Sequence, residues 1–478
     1  MPAIKKGMEV ELNVERLAFG AGGVARIDGF VVFVDRALPG QRVKAKIIRK
    51  KKDYAFARIT EILQESPHRV TPRCRHFPDC GGCAFQHLEY EQQLRAKETQ
   101  VLDLLQRIGG FEHPPVAPAR RSPDLFFYRN KMEYTFSDRR WLSRQEIDSG
   151  EPIEQRDFAL GLHVRGRFDR IIAIQQCYLQ SETGDALRNF VADWVLQESS
   201  LRPYTTRDHS GFWRFLVLRE GKNTGETMVN VVTADGGEAG NREVERLAEE
   251  MVKAFPELTT FIHTINRKKA QVATGEMGRV LHGPGYIYET LGRWRFRISP
   301  ESFFQTNTRA AELLYDTVAE LAAPTGGEVL YDLYCGAGTI GIYLSDRVGK
   351  IVGVELVEEA IADARVNAAL NGIEHAEWIA ADLKELLTRD REFFRRYGHP
   401  DVVVVDPPRA GVHPKVVQML AKLAPPRIVY VSCNPSTFAR DAAMLAPSGY
   451  RLQKVVPVDM FPHTAHIETV SLLIREGE

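Results

Sequence analysis

Apolar and polar residues alternate with a period of two along the first 65 residues. The stretches "EVELNVERLA", "GVARIDGFVVFVD", "QRVKAKIIRKKK" and "YAFARITEIL" read as short, half-buried strands. They are separated by "FGAGG" and "LPGQ", which supply the glycines and proline that turns need. Four or five such strands with glycine corners predict a small barrel of oligonucleotide-binding type. The period changes at "LEYEQQLRAKETQVLDLLQRIGG" (Leu88 to Gly110). There apolar residues recur every three or four positions before a Gly-Gly stop, as in a helix. From residue 120 to about 290, strands such as "FWRFLVLRE", "ETMVNVVTA" and "FIHTINRKKAQVATG" accompany one helix, "NREVERLAEEMVKAF", an α+β pattern. From about 301 strands and helices alternate: "GEVLYDLYCGAGTIGIYLS", "IVGVEL", "VEEAIADARVNAALNG", "EWIAADL", "DVVVVDPPRAG" and "RIVYVSCNP". This predicts a mainly parallel sheet with helices on both faces. The last two strands, "LQKVVPVDMF" and "IETVSLLIRE", lack a helix between them and are expected to pair antiparallel.

A chain of 478 residues allows roughly two to four domains, and 44% hydrophobic with 26% charged residues is ordinary for a protein in water. No apolar h-region follows Met1 and no long apolar run occurs, so neither secretion nor a membrane span is inferred and the cytoplasm is the expected location. Lys+Arg and Asp+Glu balance at 63 each, so any nucleic-acid signal is local. It lies in residues 1–65, with 13 Lys+Arg against 8 Asp+Glu. Seven of those cations fall between Lys44 and Arg58, interleaved with Tyr54 and Phe56. Cations for phosphates beside aromatics for bases suit single-stranded RNA. Lysines that merely keep a strand edge soluble would look the same.

Six cysteines are too few for a disulfide scaffold. Cys74, Cys80 and Cys83 cluster in "CRHFPDCGGC", and Cys177 is the obvious fourth ligand. Four thiolates suit zinc or an iron–sulfur cluster, and the single C-x-x-C does not decide between them. Nearby, "FYRNKMEYTFS" places Arg129 and Lys131 where they could hold RNA phosphates or simply face solvent.

"YDLYCGAGTIG" is a strand, a glycine turn and a helix in which Gly336, Gly338 and Gly341 satisfy G-x-G-x-x-G. That fingerprint serves NAD and S-adenosylmethionine alike. Acidic residues at or near three strand ends, Asp332, Glu355 and Asp382, argue for an adenosine ligand. Asp406-Pro407-Pro408 has no role in hydride transfer, and Arg409 stands where amino-methylating enzymes place an aromatic residue. If the acceptor is C5 of a pyrimidine, a thiolate must add at C6 to make C5 nucleophilic, and a base must then remove the C5 proton. Cys433, at the carboxyl end of the fifth strand, is placed for the first role. Glu468 is placed for the second, with His463 and His466 as competitors.

Together, "FFQTN", "DLYCGAGTIG", "DPPRAG", "VSCNPSTFARD" and "HIETV" resemble the ordered motifs of the RNA (uracil-5-)-methyltransferase family, over essentially the whole chain. The likeness is to members with an N-terminal TRAM domain and a [4Fe-4S] cluster. It implies an α/β, Rossmann-like S-adenosylmethionine-dependent methyltransferase domain at 301–478. An OB-like TRAM barrel would occupy 1–65, and a central α+β domain at 66–300 would carry the cluster, with the helix 88–110 a candidate to pack on the catalytic domain. By that resemblance Gln305, Tyr334, Glu355, Asp382 and Asp406, with the loop residues Gly336, Gly338 and Thr339, bind S-adenosylmethionine. Cys433 is then the nucleophile, Glu468 the base, and Cys74, Cys80, Cys83 and Cys177 hold the [4Fe-4S] cluster, while Cys335 is structural. The chain departs from the family at Thr339 and Asp382, where other members can carry Asn. The implied substrate is RNA, 23S ribosomal RNA before transfer RNA, with no membrane and no obligate protein partner. Rival readings are an RNA cytosine-5 methyltransferase, which usually needs a Cys that "DPPRAG" lacks, a catalytically dead RNA-binding protein, and a dinucleotide-linked oxidoreductase.

Overall fold

The structure is a computed structural model and describes residues 4–20, 22–152, 155–389 and 391–476. Residues 1–3 of the expected barrel and residues 477–478 lie outside the described residues. The N-terminal part is one six-stranded sheet, ordered Glu9–Asn13, Arg42–Lys50, Tyr54–Gln64, Phe30–Asp35, Gly22–Ile27, Arg16–Leu17. Three register breaks between Arg42–Lys50 and Tyr54–Gln64 bend the sheet, as bulges do. Strands across the order bury side chains in one core, including Leu12, Ala25, Val34, Val43 and Ala55. Six strands form where four or five were expected, because the two-residue strand Arg16–Leu17 is too short to show a period.

The central sheet has seven strands, ordered Met277–His282, Thr260–Ile265, Thr227–Thr233, Trp213–Glu220, Lys131–Ser137, Ala159–His163, Ile171–Ala173. Two long helices, Glu182–Glu198 and Gly237–Ala254, cover one face through Leu187, Val191, Trp194, Leu247 and Met251. The first of them is a correction, since one helix was expected here. Its buried face carries Arg188, fully buried and paired with Asp185 at 2.5 Å, and this charged pair breaks the apolar stripe. "FIHTINRKKAQVATG" is likewise strand only over Thr260–Ile265. Beyond it the guanidinium of Arg214 donates to the carbonyls of Asn266, Lys268 and Ala270 at 2.6–2.8 Å, which draws the chain out of the ladder.

The C-terminal sheet has seven strands: Val329–Leu333, Lys350–Glu355, Ala376–Ala380, Val402–Val405, Arg427–Ser432, Tyr450–Val458 and Glu468–Arg475. Numbered in chain order, they lie across the sheet as 3-2-1-4-5-7-6. The first five are parallel, and strand seven runs antiparallel to strands five and six. The antiparallel pair is thus as expected. Separate cores fill the two faces of the sheet.

Two segments N-terminal to residue 301 belong to these cores. The hairpin Ile287–Leu291 and Trp294–Ile298 buries Ile287, Leu291, Phe296 and Ile298 in one. The helix Tyr90–Arg107 puts Val101 and Leu105 into the other, against the helix Pro435–Leu445. The chain following that helix then runs along the free edge of strand six, where Ala117 and Arg120 donate to the carbonyls of Val455 and Pro457 at 2.8 Å. A sheet edge is capped in this way. Among the described residues no helix is long and apolar enough to cross a membrane.

Candidate active site and cysteine-lined cavity

Strand one ends in a turn that only unusual backbone can make. Tyr334, Gly336 and Gly338 all have positive φ, at 64°, 53° and 76°. A Cβ at Gly338 would lie 2.7 Å from the Trp378 ring, whereas one at Gly336 would meet nothing within 4 Å. The first glycine is required by packing, and the second leaves the backbone open to a ligand. Gly341 N–H donates to Asp332 Oδ2 at 2.9 Å, while the buried Oδ1 has no partner among the described residues. Burial, with Asp406 and Glu355 nearby, pushes the Asp332 carboxyl up to about 7. Asp406, just past strand four, is pushed up to about 7 by its own burial. Glu355 closes strand two and accepts from the N–H groups of Gly336, Leu356 and Val357. Beside it Leu356 is 66% exposed, an apolar face that its position in the loop after strand two did not single out.

Of the remaining expected cofactor residues, Thr339 and Asp382 lie beside the same strand ends. Thr339 opens the short helix Thr339–Tyr343 and shares a 3.1 Å hydrogen bond with the Tyr315 hydroxyl. Gln305 sits in the loop before the helix Thr308–Ala322, its carbonyl accepting from Asn130 Nδ2 at 2.8 Å. Asp382 lies two residues past strand three and accepts from Lys384 N–H at the start of the helix Leu383–Arg389. These strand ends gather the carboxyls of Asp332, Glu355 and Asp406, and the Asp332 Oδ1 oxygen has no partner among the described residues. That charge matches a ligand with cationic sulfonium and ammonium groups and opposes a dinucleotide pyrophosphate.

Cys433 follows strand five directly, and Asn434 caps the helix Pro435–Leu445 by accepting from Ser436 N–H at 3.2 Å. The antiparallel register pairs Ser432 with Thr469, so the next step brings Cys433 opposite Glu468. The thiol is half-buried and pushed up to about 11, by burial first and then by Glu468 and Asp406, with Arg409 opposing. Glu468 is 7% exposed and pushed up to about 8, by burial first and then by Asp406.

The polar residues of "CNPSTFARD" hold the neighbouring "DPPRAG" turn. Asn434 Nδ2 donates to the Arg409 carbonyl at 3.0 Å. Arg440 donates to the carbonyls of Ala410 and Val412. Asp441, fully buried, accepts from Val412 N–H at 2.8 Å and from the Tyr430 hydroxyl at 2.7 Å.

The two competing histidines take other places. His463 has φ of 64°, and its ring stacks on Phe126 at 4.5 Å and accepts from Gln93 Nε2 at 3.2 Å. Its carbonyl accepts from Ala84 and Phe85 N–H at 2.7 and 2.9 Å. His466 Nδ1 accepts from the Arg409 guanidinium at 2.8 Å. Burial holds both imidazoles down to about 4, with cations assisting at His466. The loop carrying them is anchored by Lys97, which bonds Asp459 at 2.6 Å and the Phe461 carbonyl at 3.2 Å. Lys97 and Gln93 were not legible as loop anchors in the sequence. A faint signal was present, since Gln93, Lys97 and Gln100 share the spacing of the buried Leu94, Val101 and Leu105.

Cys74, Cys80, Cys83 and Cys177 line one cavity of about 350 Å³, together with Gln86 and Arg129. Gln86 accepts from Cys74 N–H at 3.1 Å and donates to Cys83 Sγ at 3.2 Å, and Gly82 N–H donates to Cys80 Sγ at 3.4 Å. Burial raises all four thiols, Cys83 up to about 12. Among the described residues no three His, Cys, Asp or Glu side chains converge on a site for a metal ion. Lys131 lines this cavity as well, and Arg129 also lies over the Phe461 ring at 5.8 Å.

Comparison with known proteins adds three findings. A family model described as tRNA (Uracil-5-)-methyltransferase matches residues 247–476, and one for the TRAM domain matches residues 4–60. The chain is 44% identical to an uncharacterized RNA methyltransferase of Chlorobaculum tepidum, over 94% of this chain and 92% of the relative. A second, from Porphyromonas gingivalis, is 41% identical over 98% and 100%. The solved tRNA (uracil-54, C5)-methyltransferase of Pyrococcus abyssi, in complex with S-adenosyl-L-homocysteine, matches with a TM-score of 0.74 and 31% identity, covering 98% of this chain and 100% of that one.

Proposed function

The chain belongs to the RNA (uracil-5-)-methyltransferase family, and within it we propose that this S-adenosylmethionine-dependent enzyme forms 5-methyluridine at a uridine of 23S ribosomal RNA through a covalent adduct on Cys433. The reading rests above all on the strand register that sets a thiol opposite a buried carboxylate beside the cofactor cleft. The Cys433 thiolate adds to C6 of the base, and the C5=C6 electrons move toward C4 and its oxygen as an enolate. Bound S-adenosylmethionine supplies the methyl group that C5 acquires. Glu468 then takes the C5 proton, the electron pair reforms C5=C6, and Cys433 leaves. A base that titrates near 8 is well matched to that task at working pH. Glu355, Asp382, Asp406, Gln305, Tyr334, Thr339 and the turn at Gly336 and Gly338 hold the cofactor. The target base must leave any stack to reach the thiol, so an unpaired loop is the better substrate.

The cysteine cavity fits a [4Fe-4S] cluster held by Cys74, Cys80, Cys83 and Cys177. Four clustered thiols, raised by burial and two of them receiving N–H bonds, need a cationic core to exist as thiolates, and they surround a space rather than a point. Zinc, with Zn–S bonds near ~2.3 Å, asks for tighter convergence. The cluster's part is structural, since Cys177 ties a remote segment to the Cys74–Cys83 loop.

The barrel and the cysteine cluster are compatible with either RNA, and ribosomal RNA is taken as the first reading. Transfer RNA is the second reading, favoured by the Pyrococcus likeness over nearly the whole chain. The absence of Cys from "DPPRAG" disfavours a cytosine-5 reaction. Mapping 5-methyluridine in total RNA from a strain lacking the gene, with and without the complementing Cys433→Ala chain, tests the assignment. Loss of one 23S site, restored by the intact chain alone, is expected. Loss in transfer RNA supports the second reading, and unchanged 5-methyluridine in both overturns the function.

A further inference from the structure

Two acids and one cation surround the Cys433 thiol. Glu468 faces it from strand seven and Asp406 from the end of strand four, so both disfavour a thiolate. Arg409 is the cation. Its side chain is exposed at the mouth of the site, but its place is fixed at both ends. Its carbonyl accepts from Asn434, the residue after Cys433, at 3.0 Å and from the Thr437 hydroxyl at 3.5 Å. Its guanidinium donates to His466 Nδ1 at 2.8 Å. The turn that follows is pinned by Arg440 and Asp441. The backbone that presents the thiol and the backbone that presents the guanidinium are therefore one hydrogen-bonded unit.

We propose that Arg409 is the counter-cation of Cys433, held in place by Asn434, Thr437 and His466 so that the thiol can lose its proton to solvent between two carboxyl groups. The proposal rests on the reading of Cys433 as nucleophile. An arginine suits the place because its charge persists at every working pH and its planar fork can hold an acceptor while facing a second group. His466 acts as a positioning residue. Arg409, Arg129 and Lys97, with burial, keep its imidazole neutral, and a neutral ring offers Nδ1 as an acceptor throughout the physiological range. Asp406, Arg409 and Lys97 are the charges that face Glu468. Losing Arg409 thus leaves Lys97 to Glu468, whereas at Cys433 it removes the cation that opposes the two acids. The effect should fall chiefly on the thiol.

Thiol alkylation reads this without any methylation assay. The full chain, isolated without oxygen, is treated with iodoacetamide between pH 6 and 10, and modification of the Cys433 peptide is followed by mass spectrometry. With Arg409→Gln the rate at pH 8 should fall about tenfold, the equivalent of one pKa unit, and should stay lower up to pH 10 because the thiol titrates near 11. Arg409→Lys should keep most of the reactivity, and His466→Ala should lose part of it. If Arg409 serves only an RNA phosphate, all profiles will coincide while RNA binding weakens, which overturns the proposal. Slowing that Arg409→Lys reproduces in full signals altered access rather than lost charge and overturns it too. Full 5-methyluridine formation by Cys433→Ala would refute the nucleophile reading instead, and leaves the alkylation result standing by itself.

Discussion

At the scale of single residues, the buried carboxyl of Glu468 links chemistry to stability. Its folded-state pKa of about 8 lies above the value near ~4.3 of an unfolded chain. The folded protein therefore holds a proton that the unfolded chain has released, and stability falls as pH rises from about 4 to about 8. Glu468→Gln removes that loss. Its melting temperature should match the unsubstituted protein near pH 4–5 and exceed it by several degrees above pH 8, by up to about 5 kcal/mol. A thermal unfolding series across pH measures this, and an equal shift at every pH would contradict the burial argument. The same substitution separates the ends of the reaction. Cys433→Ala should form neither product nor adduct. Glu468→Gln should add to C6, accept the methyl group and stall, leaving a protein–RNA band that survives denaturing electrophoresis.

Among elements, the helix Tyr90–Arg107 and the loop before strand seven depend on one buried ion pair. Lys97 and Asp459 have side chains 4% and 0% exposed. Removing one member of such a pair strands the other charge, at a cost of about 3–5 kcal/mol. Lys97→Met should lower the melting temperature and slow turnover, because the loop leads into Glu468, while S-adenosylmethionine affinity stays within about twofold. Calorimetry and equilibrium binding separate these effects. No local pattern marks Lys97 as buried, since a lysine in "RAKETQ" reads as solvent-facing until the partner 362 positions away is known. The helix Glu182–Glu198 was hidden for the same reason, by Arg188 on its inner face. What could be read were features with a local cause: the two-residue period of the barrel, the glycine turn, and the strand-ending Cys433. The hairpin 287–298 reads as two strands in either domain, and only packing assigns it.

For the whole molecule, RNA engagement should be distributed. Phe33, Tyr54 and Phe56 form an edge-on aromatic group with Arg49 over Phe56, beside the run Lys50 to Lys52. Changing Lys46, Lys50, Lys51 and Lys52 together to Ser should weaken RNA binding at low salt and flatten its salt dependence by about 0.7 per lost phosphate contact. Filter binding at several ionic strengths reads the slope, and an unchanged slope would reduce these lysines to solubilising residues. Protein purified without oxygen should carry iron and sulfide at about four each, with less of both in Cys177→Ser. Stoichiometric zinc without iron would exclude the cluster.

The docking of the helix Tyr90–Arg107 against the helix Pro435–Leu445 has a further consequence, which belongs to synthesis. Roughly 330 residues separate Arg107 from Pro435, so at ~5–20 residues per second the ribosome takes on the order of half a minute to deliver the partner. Through that interval Val101 and Leu105 have no native surface to cover them. The nascent chain should therefore be a chaperone client from its first hundred residues until its last strands emerge.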